Sequence, residues 1–346
     1  MPQTRTILVA ACISLLAASA SATDTELTET GSTLLLPLLQ TWSAAYARTN
    51  PGTRISTAGT GSGAGIDAAI AGTAKIGASD AYMSDAEIAA HPKILNIPLA
   101  ISAQLIAVNL PGITAPIHLS GPVLAGIYSG HIQNWSDPAI AALNRDLPLP
   151  HHAIVPIHRA EASGDTFVFT QFLTFSTPGW ESGPGYGTTV DWPTQGATAT
   201  GNAGMVQALQ STPYAVAYVG SSFETQLATA RLATAMLLNE AGQYVLPTPQ
   251  TIEAAAASLT PRTPPDERLT LVYAPGDNAY PLINYEYAVV RAHPGSAATA
   301  AAIRDFLLWT VTPGQGNDPA LLTPAHFTPL PTEIRALSET QIARIR

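Results

Sequence analysis

Short β-branched runs that end in glycine-and-hydroxyl turns and reopen as helices constrain this chain more than any other feature. Residues 54–58 (RISTA) read as a strand, Gly59-Thr60-Gly61-Ser62-Gly63-Ala64-Gly65 as a turn, and 66–71 as a helix. Residues 76–80 form a second strand ending on Asp80, followed by Ser84 and Glu87 at the spacing of a capping box. Ahead of both, Leu35, Leu38, Leu39, Trp42, Ala45 and Tyr46 make a helical stripe directly after Gly31-Ser32-Thr33. Strand and helix alternate with no fixed-period repeat, which predicts an α/β architecture and excludes solenoids and propellers.

The same alternation continues downstream. Residues 99–110 are apolar and rich in Ile and Val, as expected of a buried strand or one that crosses between lobes. Asp137-Pro138 opens a short helix, 153–158 alternates toward Arg159, and 165–173 places Val168, Phe169, Phe172 and Leu173 at helical spacing. Strands are expected at 214–219 and 284–290 and a helix at 298–309. The Pro-, Thr- and Ala-rich stretch 247–275 predicts irregular surface with one helix near 252–258.

The first residues predict a signal peptide. Arg5 is the only charged side chain before an apolar run over 7–18 that is too short to span a bilayer, and the run closes on Ala20-Ser21-Ala22. Cleavage near Ala22 would leave a periplasmic or secreted chain beginning near Thr23. The only cysteine, Cys12, lies in that leader, so the mature chain has no disulfide and no thiolate metal site. With 15 Lys and Arg against 24 Asp and Glu, and only Lys75 and Lys93 as lysines, the chain lacks the basic face that nucleic acid demands. An anionic ligand would have to be held by local, directed hydrogen bonds.

Three segments offer such bonds. Gly31-Ser32-Thr33, Gly61-Ser62-Gly63 and Ser163-Gly164-Asp165-Thr166 each put hydroxyls and glycines where a helix begins, and there unpaired N–H groups and the positive end of the dipole favour an oxyanion. Each is also an ordinary N-cap or turn when taken alone. The 59–65 run fits neither the dinucleotide fingerprint nor a P-loop. No Gly-x-Ser-x-Gly elbow occurs, and the neighbouring His151 and His152 lack a carboxylate at metal-ligand spacing.

Taken together these segments resemble the periplasmic phosphate-binding proteins of ABC-type phosphate transporters, over about 29–346. The resemblance is carried by Glu29-Thr30-Gly31-Ser32-Thr33, Gly59-Thr60-Gly61-Ser62-Gly63, Gly77-Ala78-Ser79-Asp80 and the run Arg159-Ala160-Glu161-Ala162-Ser163-Gly164-Asp165-Thr166-Phe167. The Ser-Gly-Asp-Thr turn and Asn284-Tyr285-Glu286-Tyr287 are most similar to the mycobacterial branch.

The resemblance implies a two-lobed α/β fold of the periplasmic-binding-protein type (type II-like), with phosphate held in the cleft between lobes. One lobe would comprise 23–102 and 277–346, the other 103–276. It implies donors from the hydroxyl and backbone of Thr33, the N–H of Leu34, the Ser62 hydroxyl, a forked pair from Arg159, and Ser163 with Gly164. Asp80, an acceptor only, would suit an anion that still carries a proton, as phosphate does and sulfate does not. Asp165 replaces a threonine of the better-known branch; it could accept a second phosphate proton, which is the favoured role, turn away and hold Arg159, or simply suit a helix start as Asp does. The implied role is delivery to a membrane permease by a monomer that needs no cofactor, resident metal or catalytic residue. A secreted phosphatase using the same anion site, and a binder of another tetrahedral oxyanion, are the alternatives.

Overall fold

A computed structural model describes residues 25–346 except positions 114 and 195. The expected leader over 1–22, its cleavage site and Cys12 lie outside the described residues. Within the described residues no helix is long and apolar enough to cross a membrane.

The architecture turns on one strand, Ile94–Val108, whose 15 residues are all buried. At about 3.3 Å per residue it runs roughly 50 Å, enough to serve two half-sheets. Residues 94–103 pair antiparallel with Ile283–Arg291, and 104–108 pair antiparallel with Ala215–Gly220. Beyond Ile283–Arg291 lie Ile76–Ser79, Thr25–Gly31 and Thr53–Gly59; beyond Ala215–Gly220 lie Val155–Arg159 and Ala197–Ala199. The crossing strand begins earlier than the apolar run predicts. Pro98 is accommodated where it faces Tyr287, beside a β-bulge between Glu286 and Tyr287.

In each half the outer strands run parallel, and each feeds a helix from its carboxyl end. Thr25–Gly31 leads to Leu36–Thr49, Thr53–Gly59 to Ser62–Ala71, Val155–Arg159 to Gly164–Ser176, and Ala197–Ala199 to Gly201–Ser211. The first two helices belong to one half-sheet and the last two to the other. All four open at the carboxyl ends of parallel strands, where α/β folds place their ligands.

The predicted elements appear with shifted ends. Leu36–Thr49 buries Leu38, Leu39, Trp42, Ala45 and Tyr46, and the Ser84–Glu87 capping box is formed. The irregular stretch contains the helix Pro249–Leu259, started by Thr248. The helices Gly201–Ser211 and Thr332–Ile342 were not anticipated. A continuous core runs through both halves, with Trp42, Trp135, Tyr128, Tyr218 and Tyr285 fully enclosed. Burial of the Glu29 carboxyl beside it pushes its pKa up to about 8, against the pull of the Ala58 backbone.

Candidate anion site

The four helix starts converge where the half-sheets meet. Ser32 is the first organiser: its Oγ accepts from the N–H groups of Leu34 and Leu35 at 3.1 and 3.0 Å and donates to Asp80 Oδ1. The Leu34 N–H, expected to face a ligand, is thus turned to Ser32. Leu34 instead contributes its side chain, packed on Gly220, and its carbonyl, which accepts from Ser222 Oγ at 2.7 Å. Thr33 N–H has no acceptor among the described residues, and neither do the N–H groups of Ser62, Gly164 and Asp165. Unpaired amides at helix starts are the expected makings of an anion nest.

Thr33 Oγ1 is reached by three N–H donors from the other half: Asn202 N at 3.1 Å, Asn202 Nδ2 at 3.0 Å and Arg159 Nη2 at 3.2 Å. Its lone pairs being engaged, its proton is left to donate. Ser163, wholly buried, caps its helix by accepting from Thr166 N at 3.4 Å, which likewise leaves its proton available. A hydrogen bond from Ser163 N to Thr188 O at 2.8 Å fixes that turn in place.

Arg159 is the only basic side chain buried among these groups, with its side chain and that of Asp165 each 1% exposed. Nη1 pairs with Asp165 Oδ2, while Nε, at 2.9 Å, and Nη2 both donate to Glu161 Oε1. The guanidinium edge expected to fork onto a ligand is therefore framed by two carboxylates. Both Asp165 oxygens are engaged: Oδ2 also accepts from Asn202 Nδ2 at 2.7 Å, and Oδ1 from Gln104 Nε2 at 3.2 Å. Tyr218 Oη holds the Arg159 backbone N–H at 3.0 Å and meets Thr166 Oγ1 at 2.8 Å. Although the Arg159 guanidinium is deeply buried, the carboxylates of Asp165 and Glu161 hold its proton firmly.

Asp80 faces this cluster from the opposite half. Its Oδ2 accepts from Ser62 Oγ at 3.2 Å, and its N–H donates to Ser62 Oγ at 3.1 Å. Burial, and next the Asp165 charge, push its pKa up to about 6, against the opposing pull of hydrogen bonds and Arg159. Gly164 seats directly against it: a Cβ there would stand 2.5 Å from both Asp80 Oδ2 and Ser62 Oγ. The halves also touch where Gly63 N donates to Ala162 O at 3.1 Å.

Sequence reasoning placed Ser32 in a candidate helix start without its link to Asp80, and gave no site role to Gln104, Glu161, Asn202 and Tyr218. Asn202 had a signal, since Thr200-Gly201-Asn202 repeats the small-and-hydroxyl helix start. Glu161 had one too, lying two residues from Arg159. Outside the buried groups a cleft of about 620 Å³ opens between Tyr82 and Asp85 on one side and Phe167 and Tyr186 on the other. Tyr82 meets Phe167 edge-on at 5.3 Å across it. Its aromatic, partly acidic walls differ from the hydroxyl- and amide-lined interior.

The sequence matches the PBP superfamily domain over residues 17–313. It is 34% identical over 309 residues to the phosphate-binding protein PstS of Pasteurella multocida, covering 89% of this chain and 87% of that one. With the phosphate-binding protein PstS of Methanocaldococcus jannaschii it shares 32% over 338 residues, covering 92% of this chain and 85% of the other. Among solved structures, the periplasmic phosphate-binding protein PfluDING, bound with phosphate, superposes with a TM-score of 0.73 at 23% identity, over 91% of this chain and 93% of that one.

Proposed function

The chain belongs to the PBP superfamily, among the PstS phosphate-binding proteins, and from that membership we propose that it captures inorganic phosphate between its two lobes and hands it to an ABC-type permease in the membrane. The observation that carries the reading is the joint presence of N–H groups at helix starts from both halves that lack an acceptor among the described residues, one buried guanidinium, and the buried Asp80 carboxylate facing them. Donors suit any oxyanion. Asp80 suits one that brings a proton.

In this reading the lobes divide near residue 103 of the crossing strand and the chain returns to the first lobe near 277. Thr33, Ser62 and Asp80 come from one lobe, and Arg159, Ser163 and Gly164 from the other. The Thr33 and Ser163 hydroxyl protons and the N–H groups at the helix starts come from both lobes, so a ligand that bonds to them together favours the closed form. Capture rather than catalysis is supported by the hydroxyls' partners. Ser32 and Ser62 bond to Asp80, and the neighbouring His158 ring stacks on Trp192 at 5.1 Å instead of addressing a nucleophile.

Calorimetric titration of the phosphate-stripped mature protein with phosphate and with sulfate tests the reading; equal affinity for both, or for neither, would overturn it. Asp80→Asn adds a donor where the parent has only acceptors, so sulfate should gain ~2 to 4 kcal/mol relative to phosphate. Unchanged sulfate exclusion would move the discrimination to other residues.

Asp165 we assign to Arg159 and not to a second ligand proton, because both its oxygens already accept from Arg159, Asn202 and Gln104. Asp165→Thr should therefore weaken phosphate binding by a similar factor at every pH from mildly acidic to mildly alkaline. A variant that differs from the parent only at low pH would restore the two-proton account.

A further inference from the structure

One buried carboxyl near the site has no place in the scheme above. Glu286 lies on Ile283–Arg291, and its side chain is wholly enclosed. That strand pairs antiparallel with Ile76–Ser79, Ala288 opposite Ala78 and Tyr287 opposite Ser79. Past that last pair the next residues of the two segments are Asp80 and Glu286, and continuing the ladder by one step would bring their side chains to one face, with Cβ atoms about 5 Å apart. The Glu286 and Asp80 carboxyls lie within hydrogen-bonding reach of each other.

Donor accounting then places a proton. Glu286 Oε1 accepts from Ser102 Oγ at 2.6 Å and from Asn284 Nδ2 at 3.0 Å. The same Asn284 Nδ2 also reaches the Asp80 carbonyl at 3.0 Å, which ties the two strands together at this point. Glu286 Oε2 is buried and receives no hydrogen bond from the described residues. A charged oxygen there would be both undonated and opposed by a like charge, two costs that add. A protonated Oε2 has an acceptor directly across the ladder. Two carboxyls so placed share one proton more readily than they ionise together.

We infer that Glu286 is a neutral carboxylic acid that donates its proton in a hydrogen bond to Asp80, a positioning residue that keeps Asp80 ionised and accepting. The inference rests on the phosphate reading only for its consequence, since the protonation itself belongs to the free protein. The surrounding charges agree. Burial raises the Glu286 pKa well above the usual carboxylate range, and Asp80 and then Asp165 raise it further. Asp80 stays lower, at about 6, because Glu286, Ser32 and Arg159 favour its charged form. Ser102 and Asn284, the other groups on Glu286, are uncharged. With Glu286 neutral, the pair presents one negative charge to the incoming anion, not two.

The consequence concerns selectivity. Asp80 excludes a fully deprotonated anion only while it is ionised; once protonated, it becomes a donor that sulfate can use. Its raised pKa means that this exclusion is present at high pH and fails as pH falls through about 6. Removing the hydrogen bond from Glu286 should move that failure to higher pH. Glutamine, neutral and still a donor, should preserve it. Methionine, similar in size but unable to donate, should not.

Two measurements decide. Infrared spectra of the ligand-free parent at neutral pH should contain a protonated carboxylic-acid carbonyl band that is absent from Glu286→Gln; identical spectra would overturn the inference whatever the protein binds. Sulfate titrations across pH should then show binding that begins about one unit higher in Glu286→Met than in the parent, one hydrogen bond to a charged group being worth about that much. Glu286→Gln should track the parent. A glutamine variant that behaves as methionine does, or a methionine variant that matches the parent, would also overturn it. A parent that binds no phosphate, with the infrared band present, would instead sink the function proposed above and leave Glu286 neutral.

Discussion

Arg159→Ala should lower phosphate affinity by at least ~30-fold, from the ~2 kcal/mol or more that truncating a buried charged hydrogen-bonding group costs. The loss has two sources. The ligand forfeits the only buried cation of the site, and Asp165 with Glu161 is left facing it as uncompensated negative charge. The second source also acts on the fold. Breaking a buried ion pair by deleting one partner costs about 3–5 kcal/mol, so the melting temperature should fall as well. Lysine should restore part of the stability and little of the binding. A single ammonium cannot meet Glu161, Asp165 and Thr33 from the three directions that the guanidinium covers. Arg159→Ala combined with Asp165→Asn separates the sources: stability should recover while phosphate titration stays weak. Near-parental affinity in the single alanine variant would place the site elsewhere.

The parts of this site that announce themselves in sequence are those built from local rules. A helix start needs a cap and a tight turn, so Ser32-Thr33, Ser62 and Ser163-Gly164 stand out as small and hydroxylated residues between a strand and an apolar helical stripe. The crossing strand was legible because Ile, Val and Leu crowd it, although its start at Ile94 was hidden by Pro98. What stayed hidden depends on pairing between distant segments. Glu286 sits in Asn-Tyr-Glu-Tyr, which reads as a strand without saying which of its side chains are enclosed, yet the helices Ser62–Ala71 and Pro249–Leu259 pack against Ile283–Arg291 and every residue of it but Arg291 is buried. Gln104 and Tyr218 are single polar groups within apolar strands, and only the meeting of Ile94–Val108 with Ala215–Gly220 brings them beside Arg159 and Asp165. The allocation of donors was equally unreadable. Nothing in the order of residues says that the Leu34 N–H goes to Ser32, or that Glu161 takes two guanidinium N–H groups.

Gly164→Ala should reduce phosphate affinity by at least ~30-fold while leaving the melting temperature of the ligand-free protein nearly unchanged. Gly164 opens a helix and has no positive φ, and the three atoms nearest a Cβ there all belong to the other half, so alanine suits the local backbone and restricts the unfolded chain. The obstacle comes from the other half. A Cβ would fall 2.5 Å from Asp80 Oδ2 and Ser62 Oγ, and 2.6 Å from Asp80 Cβ. Rotating the two polar atoms aside would break the hydrogen bond between them, and no side-chain rotation moves Asp80 Cβ. The halves must therefore stand apart, a steric cost of about 2–3 kcal/mol that falls on the closed form alone. Apparent affinity drops by the factor by which that form is depopulated. Small-angle scattering should show the parent compacting when phosphate is added and the variant failing to compact. Gly52→Ala, where a Cβ meets nothing within 4 Å, is the control that should bind and compact as the parent does. Full affinity and full compaction in Gly164→Ala would mean that phosphate is held without Gly164 seating on Asp80, and that closure stops short of the contact seen here.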